Sequence, residues 1–232
     1  MPSGAAVALL LECLTAAASV WGLVRLERLH AVAPDARLRR LSWVFGLFAA
    51  AMALQAGSTL AAAGRAAASS RLPAVLELGY HVTFLAALVV ALTSFWPRRT
   101  DVASTVPAAT LLVVPTAARL APGALLAGPF GVPGLLEAIL ALVLAILAVR
   151  NSARRRRASA WQVAAGYALV FLAHAAFWTA RLLGAAPRPF WAEALLAVGV
   201  LLLVLAVPRR TLPAGSSAPL PSEPSGPSGG AP

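Results

Sequence analysis

The chain has 232 residues, of which 60% are hydrophobic and 12% are charged, and its formal net charge is +11. Its mean hydropathy of +0.81 is higher than the core of a soluble domain can use, which predicts a polytopic membrane protein. The positive charge does not indicate nucleic-acid binding, because no soluble basic face with interleaved aromatic residues is present to carry it.

Seven apolar runs are long enough to cross a bilayer, which takes roughly 20 helical residues for about 30 Å of hydrocarbon. In chain order, these spans 1 to 7 cover residues 5–24, 41–63, 73–96, 102–118, 131–149, 161–183 and 189–207. Span 4 is short and contains Pro107 and Pro115, which predicts a kinked or partly spanning segment. We therefore expect an all-α bundle of seven transmembrane helices over residues 1–211.

The remaining residues, 212–232, are rich in Pro, Gly and Ser, which is typical of segments that cannot bury enough apolar surface to order themselves. We expect a disordered cytoplasmic tail there. Cys13 is the only cysteine, so no disulfide framework and no Cys-based metal motif is available.

The orientation of the chain in the membrane is predicted from its arginine residues, because the chain contains no lysine. Fourteen arginines lie in the 1–2, 3–4 and 5–6 connections or after span 7, and five lie on the opposite side. Since positive residues stay in the cytoplasm, the N-terminus is predicted outside and the C-terminus inside. The run Arg154, Arg155, Arg156 and Arg157 would orient the bundle and attract anionic lipid or an acidic partner protein. The lack of lysine, with one asparagine and two isoleucines, fits a GC-rich genome, and we expect a prokaryotic plasma membrane.

Three spans begin with the same motif, in which a proline is followed four positions later by a glutamate. The motif occurs at Pro73 to Glu77, Pro133 to Glu137, and Pro189 to Glu193. Span 1 carries Glu12 in its first half. Such starts are ordinary helix chemistry, because proline fixes φ and a carboxylate meets the positive end of the dipole. Carboxylates at membrane depth also cost several kcal/mol unless they face protein or water, which makes them candidates for function.

Polar residues concentrate in the outer half of the predicted bundle. His81 lies one turn from Glu77, and the helical rise puts His174 of span 6 at a similar depth. The inner halves of spans 5 and 7 contain no ionisable side chain, which predicts an outward-facing pocket with a sealed floor. The candidate ligand-binding residues are Glu12, Gln55, Glu77, Tyr80, His81, Glu137, Tyr167, His174, Arg181 and Glu193.

Several functions remain open at this point. The preferred hypothesis is a receptor-like or accessory membrane protein that binds a small ligand, proton or cation, and its helix count and direction resemble the topology of rhodopsins and receptors. Span 7 has no lysine, so a retinal Schiff base cannot form.

A second hypothesis is a redox protein with His81 and His174 as ligands of a b-type haem, and the same pair would serve a divalent cation. A third is a cation or proton transporter. No nucleophile elbow, zinc-protease motif or phosphate loop supports an enzyme.

Overall fold

A computed structural model of the chain describes residues 4–63, 72–95, 132–155, 158–183 and 189–207, with the backbone alone at 132, 133, 155, 181 and 182. These ranges form six helices: α1 (Gly4–Val32), α2 (Ala36–Ala63), α3 (Leu72–Ser94), α4 (Val132–Arg155), α5 (Ala158–Leu182) and α6 (Phe190–Leu205). They correspond to predicted spans 1, 2, 3, 5, 6 and 7. Span 4 and the C-terminal tail lie outside the described residues.

Membrane-spanning capacity is clear for five of the six described helices. Helices α1 to α5 are long and apolar enough to cross a bilayer, which confirms the prediction of a multi-pass helical membrane protein. Helix α6 is apolar but has 16 residues. At 1.5 Å per residue it covers about 24 Å, somewhat less than the hydrocarbon thickness.

Several helices extend beyond the apolar runs that predicted them. Helix α1 continues to Val32 rather than residue 24, and α4 continues to Arg155 rather than residue 149. The added turns are rich in Arg, Leu and Ala, which are strong helix formers, so helix continues where the apolar run has ended. The α1–α2 turn forms at Pro34, and the Asp35 carboxylate caps α2 by accepting a hydrogen bond from the Arg37 N–H at 2.8 Å.

The described helices form a closed ring. Each helix packs on the next in chain order, and α6 returns to α1. Phe84 of α3 contacts His174 of α5, and Phe95, directly after α3, contacts Tyr167 of α5, so α3 and α5 are antiparallel. Since α4 and α5 form an antiparallel hairpin, α3 and α4 run in the same direction and begin at the same end of the ring. This shared end, where α3 and α4 begin, holds the candidate site.

Close backbone approach joins α5 to α6. A Cβ atom built on Gly166 would lie 2.9 Å from the Gly199 carbonyl oxygen, and one built on Gly199 would lie 2.9 Å from the Gly166 oxygen. Both distances are shorter than real Cβ contacts, and the neighbour in each case is backbone that cannot rotate away. Small residues at this crossing are therefore required for the two helices to touch, as in many membrane bundles.

Arg25 closes the ring at the other end. Its guanidinium donates hydrogen bonds to the carbonyl oxygens of Val204, at 3.2 Å, and Val207, at 2.8 Å. Carbonyl groups in the last turn of a helix have no intrahelical donor, and a cation there also meets the negative end of the helix dipole. Arg25 thus fixes α1 against α6.

The glycine contact predicts a position-specific stability loss. Gly166→Ala and Gly199→Ala should each lower the free energy of unfolding by about 1–3 kcal/mol, because overpacking outweighs the roughly 1 kcal/mol that alanine gains in helix propensity. Gly134→Ala is the matched control, since nothing lies within 4 Å of its added Cβ, and it should be neutral or stabilising. Thermal unfolding in nanodiscs measures the three variants, and equal behaviour of all three would contradict the packing.

Candidate functional site

Five buried or partly buried polar side chains meet where α3, α4 and α5 join. We call them the His–Glu cluster: Glu77, Tyr80 and His81 on α3, Glu137 on α4, and His174 on α5. The three α3 residues are spaced three and four positions apart, which places them on one side of that helix. The structure therefore brings together five of the ten predicted ligand-binding residues, from three helices.

Glu137 is at the centre of the cluster. Its residue exposure is 0%, and its carboxylate lies between two imidazoles. Oε1 is 2.8 Å from His81 Nδ1, and Oε2 is 3.3 Å from His174 Nε2. The shorter distance lies in the range of charge-assisted hydrogen bonds, whereas Oε2 lies close to His174 without a hydrogen-bond partner among the described residues.

His174 is held in one tautomer by its own helix. Its Nδ1 lies 2.8 Å from the Val170 carbonyl oxygen, one turn earlier on α5. A carbonyl can only accept, so Nδ1 carries a hydrogen. The other ring nitrogen, Nε2, is left to interact with the rest of the cluster.

The surroundings of His174 Nε2 admit two proton arrangements. The Tyr80 hydroxyl oxygen and Glu137 Oε2 each lie 3.3 Å from this atom. A neutral His174 accepts at Nε2 from the Tyr80 hydroxyl or from a protonated Glu137, whereas an imidazolium donates to the Glu137 carboxylate. The same heavy-atom geometry thus accommodates a proton on either residue.

Aromatic rings pack against His174. The Phe84 ring lies 4.6 Å from the His174 ring, and Phe177 meets His174 edge-on at 5.8 Å. Phe48 of α2 packs against Phe84 at 5.0 Å, and both phenylalanines are fully buried. Phe48 and Phe84 thus form a buried aromatic layer beside the cluster, which we call the aromatic floor.

The cluster approaches the surface through Glu77. This side chain is 25% exposed, against 8% for His81 and 1% for Glu137 and His174. Glu77 Oε1 is 3.9 Å from His81 Nε2, which is longer than a hydrogen bond. Among the described residues, no hydrogen-bond partner occupies His81 Nε2, although the atom is buried. Exposure therefore falls from Glu77 through His81 to Glu137.

Three more predicted residues, Glu12, Gln55 and Glu193, are buried. The Thr59 hydroxyl of α2 donates to Glu12 Oε1 on α1 at 3.0 Å, and Gln55 lies one turn from Thr59 on α2. Helices α1 and α6 are parallel, and a Cβ atom built on Gly22 of α1 would lie 3.0 Å from Val204 Cγ2 of α6.

The last two predicted residues are placed differently. Tyr167 is buried two turns from His174 and contacts Phe95 edge-on at 6.3 Å, so it lies on the inner side of the aromatic floor. Arg181 is within α5, and its side chain lies outside the described residues.

Sequence reasoning did not find several of the partners. Glu137 was predicted as one of four equivalent glutamates, and nothing in its own span singles it out as the residue between two histidines. The Val170 carbonyl is a general helical partner for a residue four positions later, so that spacing was the available signal. Thr59 was not among the candidate residues, although its depth matches that of Glu12.

The cluster does not fit the proposed haem. Bis-imidazole ligation needs one nitrogen from each of two imidazole rings to face the same iron. His81 Nδ1 and His174 Nε2 instead both face the carboxylate of Glu137. The described residues also contain no group of three or more His, Cys, Asp or Glu side chains placed to hold a metal ion.

The shared carboxylate predicts energetic coupling between helices. A double-mutant cycle of His81→Gln and Glu137→Gln should give a coupling free energy of about 0.5–3 kcal/mol, because each substitution removes the same hydrogen bond. The control pairs Glu137→Gln with His30→Gln, since His30 Nδ1 accepts from the Asp35 N–H at the opposite end of α1. That cycle should be additive, and additivity in both cycles would contradict the geometry.

Comparisons with protein-family models, with curated proteins and with solved structures give no match for this chain.

Proposed function

We propose that the protein is a receptor-like or accessory protein of the plasma membrane that senses protons with the His–Glu cluster. The observation that carries the proposal is one buried carboxylate, Glu137, within hydrogen-bonding reach of two imidazoles on different helices. Histidine is the side chain whose charge changes in the physiological pH range, which suits a sensor.

Charge accounting supports a proton as the ligand. With Glu77 and Glu137 ionised and both histidines neutral, the cluster carries two negative charges, and each bound proton removes one. A buried charge costs several kcal/mol unless it is paired, so proton occupancy changes how well the three helices pack together. Proton binding is thereby coupled to the arrangement of α3, α4 and α5, which a receptor-like protein would pass to a partner chain.

The transporter alternative has less support from the described residues. A transport route needs polar groups on both sides of the midplane. Between His81 and Phe95, α3 has no ionisable side chain, and α6 has none after Glu193. The aromatic floor of Phe48 and Phe84 lies across the remaining path.

The finer topology belongs to the same proposal. A seven-helix topology accounts for the parallel direction of α3 and α4. One more membrane crossing between the end of α3 and the start of α4 would return the chain to the side of the membrane on which α3 begins. Exposed Arg37 and Arg39 at the α1–α2 turn and exposed Arg154 at the end of α4 lie at one end of the ring, as cytoplasmic residues would. Arg155, Arg156 and Arg157 would extend that basic surface toward anionic lipid or an acidic partner.

Removing the central carboxylate should flatten the pH dependence of stability. A cluster that exchanges a proton with its surroundings should make the Tm of the wild type depend on pH between about 5 and 8, because the folded and unfolded chains then bind different numbers of protons. Glu137→Gln should lose most of this dependence, since a change of 1 kcal/mol in stability moves the Tm of a chain of this size by about 2–4 °C. Glu27→Gln, at an exposed position of α1, should follow the wild type.

Thermal unfolding in nanodiscs across this pH range makes the measurement. If Glu137→Gln and the wild type give parallel curves, the cluster does not bind a proton that matters to the fold, and the proposal is wrong.

Cysteine labelling tests the orientation. In a Cys13→Ser background, Gly4→Cys should react with a membrane-impermeant maleimide in intact spheroplasts, and Ala36→Cys should react only after permeabilisation. Both positions are exposed, at the start of α1 and the start of α2. The reverse pattern would place the His–Glu cluster in the cytoplasmic half.

A further inference from the structure

We infer that the His–Glu cluster is a one-ended proton relay: Glu77 collects the proton, His81 passes it, Glu137 stores it, and His174 prevents its transfer further inward. This inference deepens the proposed function by assigning an entry route and a different role to each residue. It rests on the directions of the ring nitrogens and on the gradient of exposure through the three helices.

The two nitrogens of His81 face different carboxylates. Nδ1 is 2.8 Å from Glu137 Oε1, and Nε2 is 3.9 Å from Glu77 Oε1. The ring therefore lies between a partly exposed acid on its own helix and a fully buried acid on α4. Because Nε2 is buried with no hydrogen-bond partner among the described residues, it is an acceptor aimed at the one cluster member that reaches the surface.

The transfer balances without any oxidant or reductant. A proton from bulk water adds to the Glu77 carboxylate, which moves to hydrogen-bond distance of His81 or reaches it through one water. His81 Nε2 takes that proton, and the hydrogen on Nδ1 passes to Glu137 Oε1. The products are a neutral Glu137 carboxylic acid and His81 in its Nε2–H tautomer, and release follows the same route in reverse.

His174 ends the route because its second nitrogen is already committed. If it takes the proton from Glu137 at Nε2, its Nδ1 hydrogen is bonded to the Val170 carbonyl, which has no proton to pass on. Rotation of the ring is opposed by Phe84 and Phe177, which pack on it from two sides. The stored proton therefore leaves by the way it came, and the cluster reports proton activity on one side only.

The ionisable groups that face Glu137 come from both neighbouring helices. Glu137 lies close to His81 of α3 and His174 of α5, while Glu77 lies close to His81 and the Tyr80 hydroxyl lies close to His174. Glu77 differs from the others in being partly exposed, so its substitution should change mainly the rate of proton entry, whereas substitution of Glu137 removes the storage site itself.

Time-resolved infrared spectroscopy after photorelease of a caged proton separates these roles in the full-length protein in nanodiscs. Protonation of Glu137 appears as a carboxylic-acid carbonyl band that is absent in Glu137→Gln. Glu77→Gln should slow the rise of this band by at least about tenfold, because a positioned proton donor and acceptor is lost. Glu77→Asp should restore much of the rate, and Glu27→Gln should match the wild type.

The outcomes distinguish the two levels of inference. A Glu137 band that rises at the wild-type rate in Glu77→Gln overturns the relay but leaves the proton-sensing proposal intact. A wild-type protein without the Glu137-dependent band overturns both. Slow rise in His174→Gln together with normal rise in Glu77→Gln would show that protons enter from the opposite direction, which also overturns the relay.

Discussion

The candidate site depends on the contacts of one buried carboxylate, Glu137, with two other helices. Glu137 is fully buried, and an isolated ion in such a place is strongly destabilising. The chain meets this cost with two imidazoles from two other helices, at 2.8 Å and 3.3 Å. Structure and proposed function therefore depend on this one set of contacts.

The other helix contacts determine where the His–Glu cluster lies in the ring. Helices α3 and α4 run in the same direction, so Glu77 and Glu137, each near the start of its helix, lie at one end of the ring. The Gly166 to Gly199 contact and the hydrogen bonds of Arg25 to α6 hold the opposite arc of the ring together. Apolar and aromatic residues, among them Phe48 and Phe84, pack beside the cluster.

The all-α class and the positions of the described helices could be predicted from the sequence, because hydropathy is a property of single segments. The apolar runs gave the six described helices, with ends displaced where Arg and Leu extend a helix past its apolar run. Contacts between side chains depend on how each helix is rotated and on the order of the helices around the ring. Helices composed mainly of Ala, Leu and Val carry no sequence pattern from which this rotation and order can be read. Contact between Tyr80 and His174, or the separation of Tyr167 from the cluster, therefore required coordinates.

A direct test of the central claim is an interatomic distance in the membrane. Solid-state NMR dipolar recoupling between imidazole nitrogen-15 of histidine and side-chain carboxyl carbon-13 of glutamate can be recorded in lipid bilayers. The structure predicts cross-peaks from both His81 and His174 to one carboxyl carbon, and their loss in Glu137→Gln. Absence of these cross-peaks in the wild type, or their persistence in Glu137→Gln, would contradict the shared carboxylate and the functional account built on it.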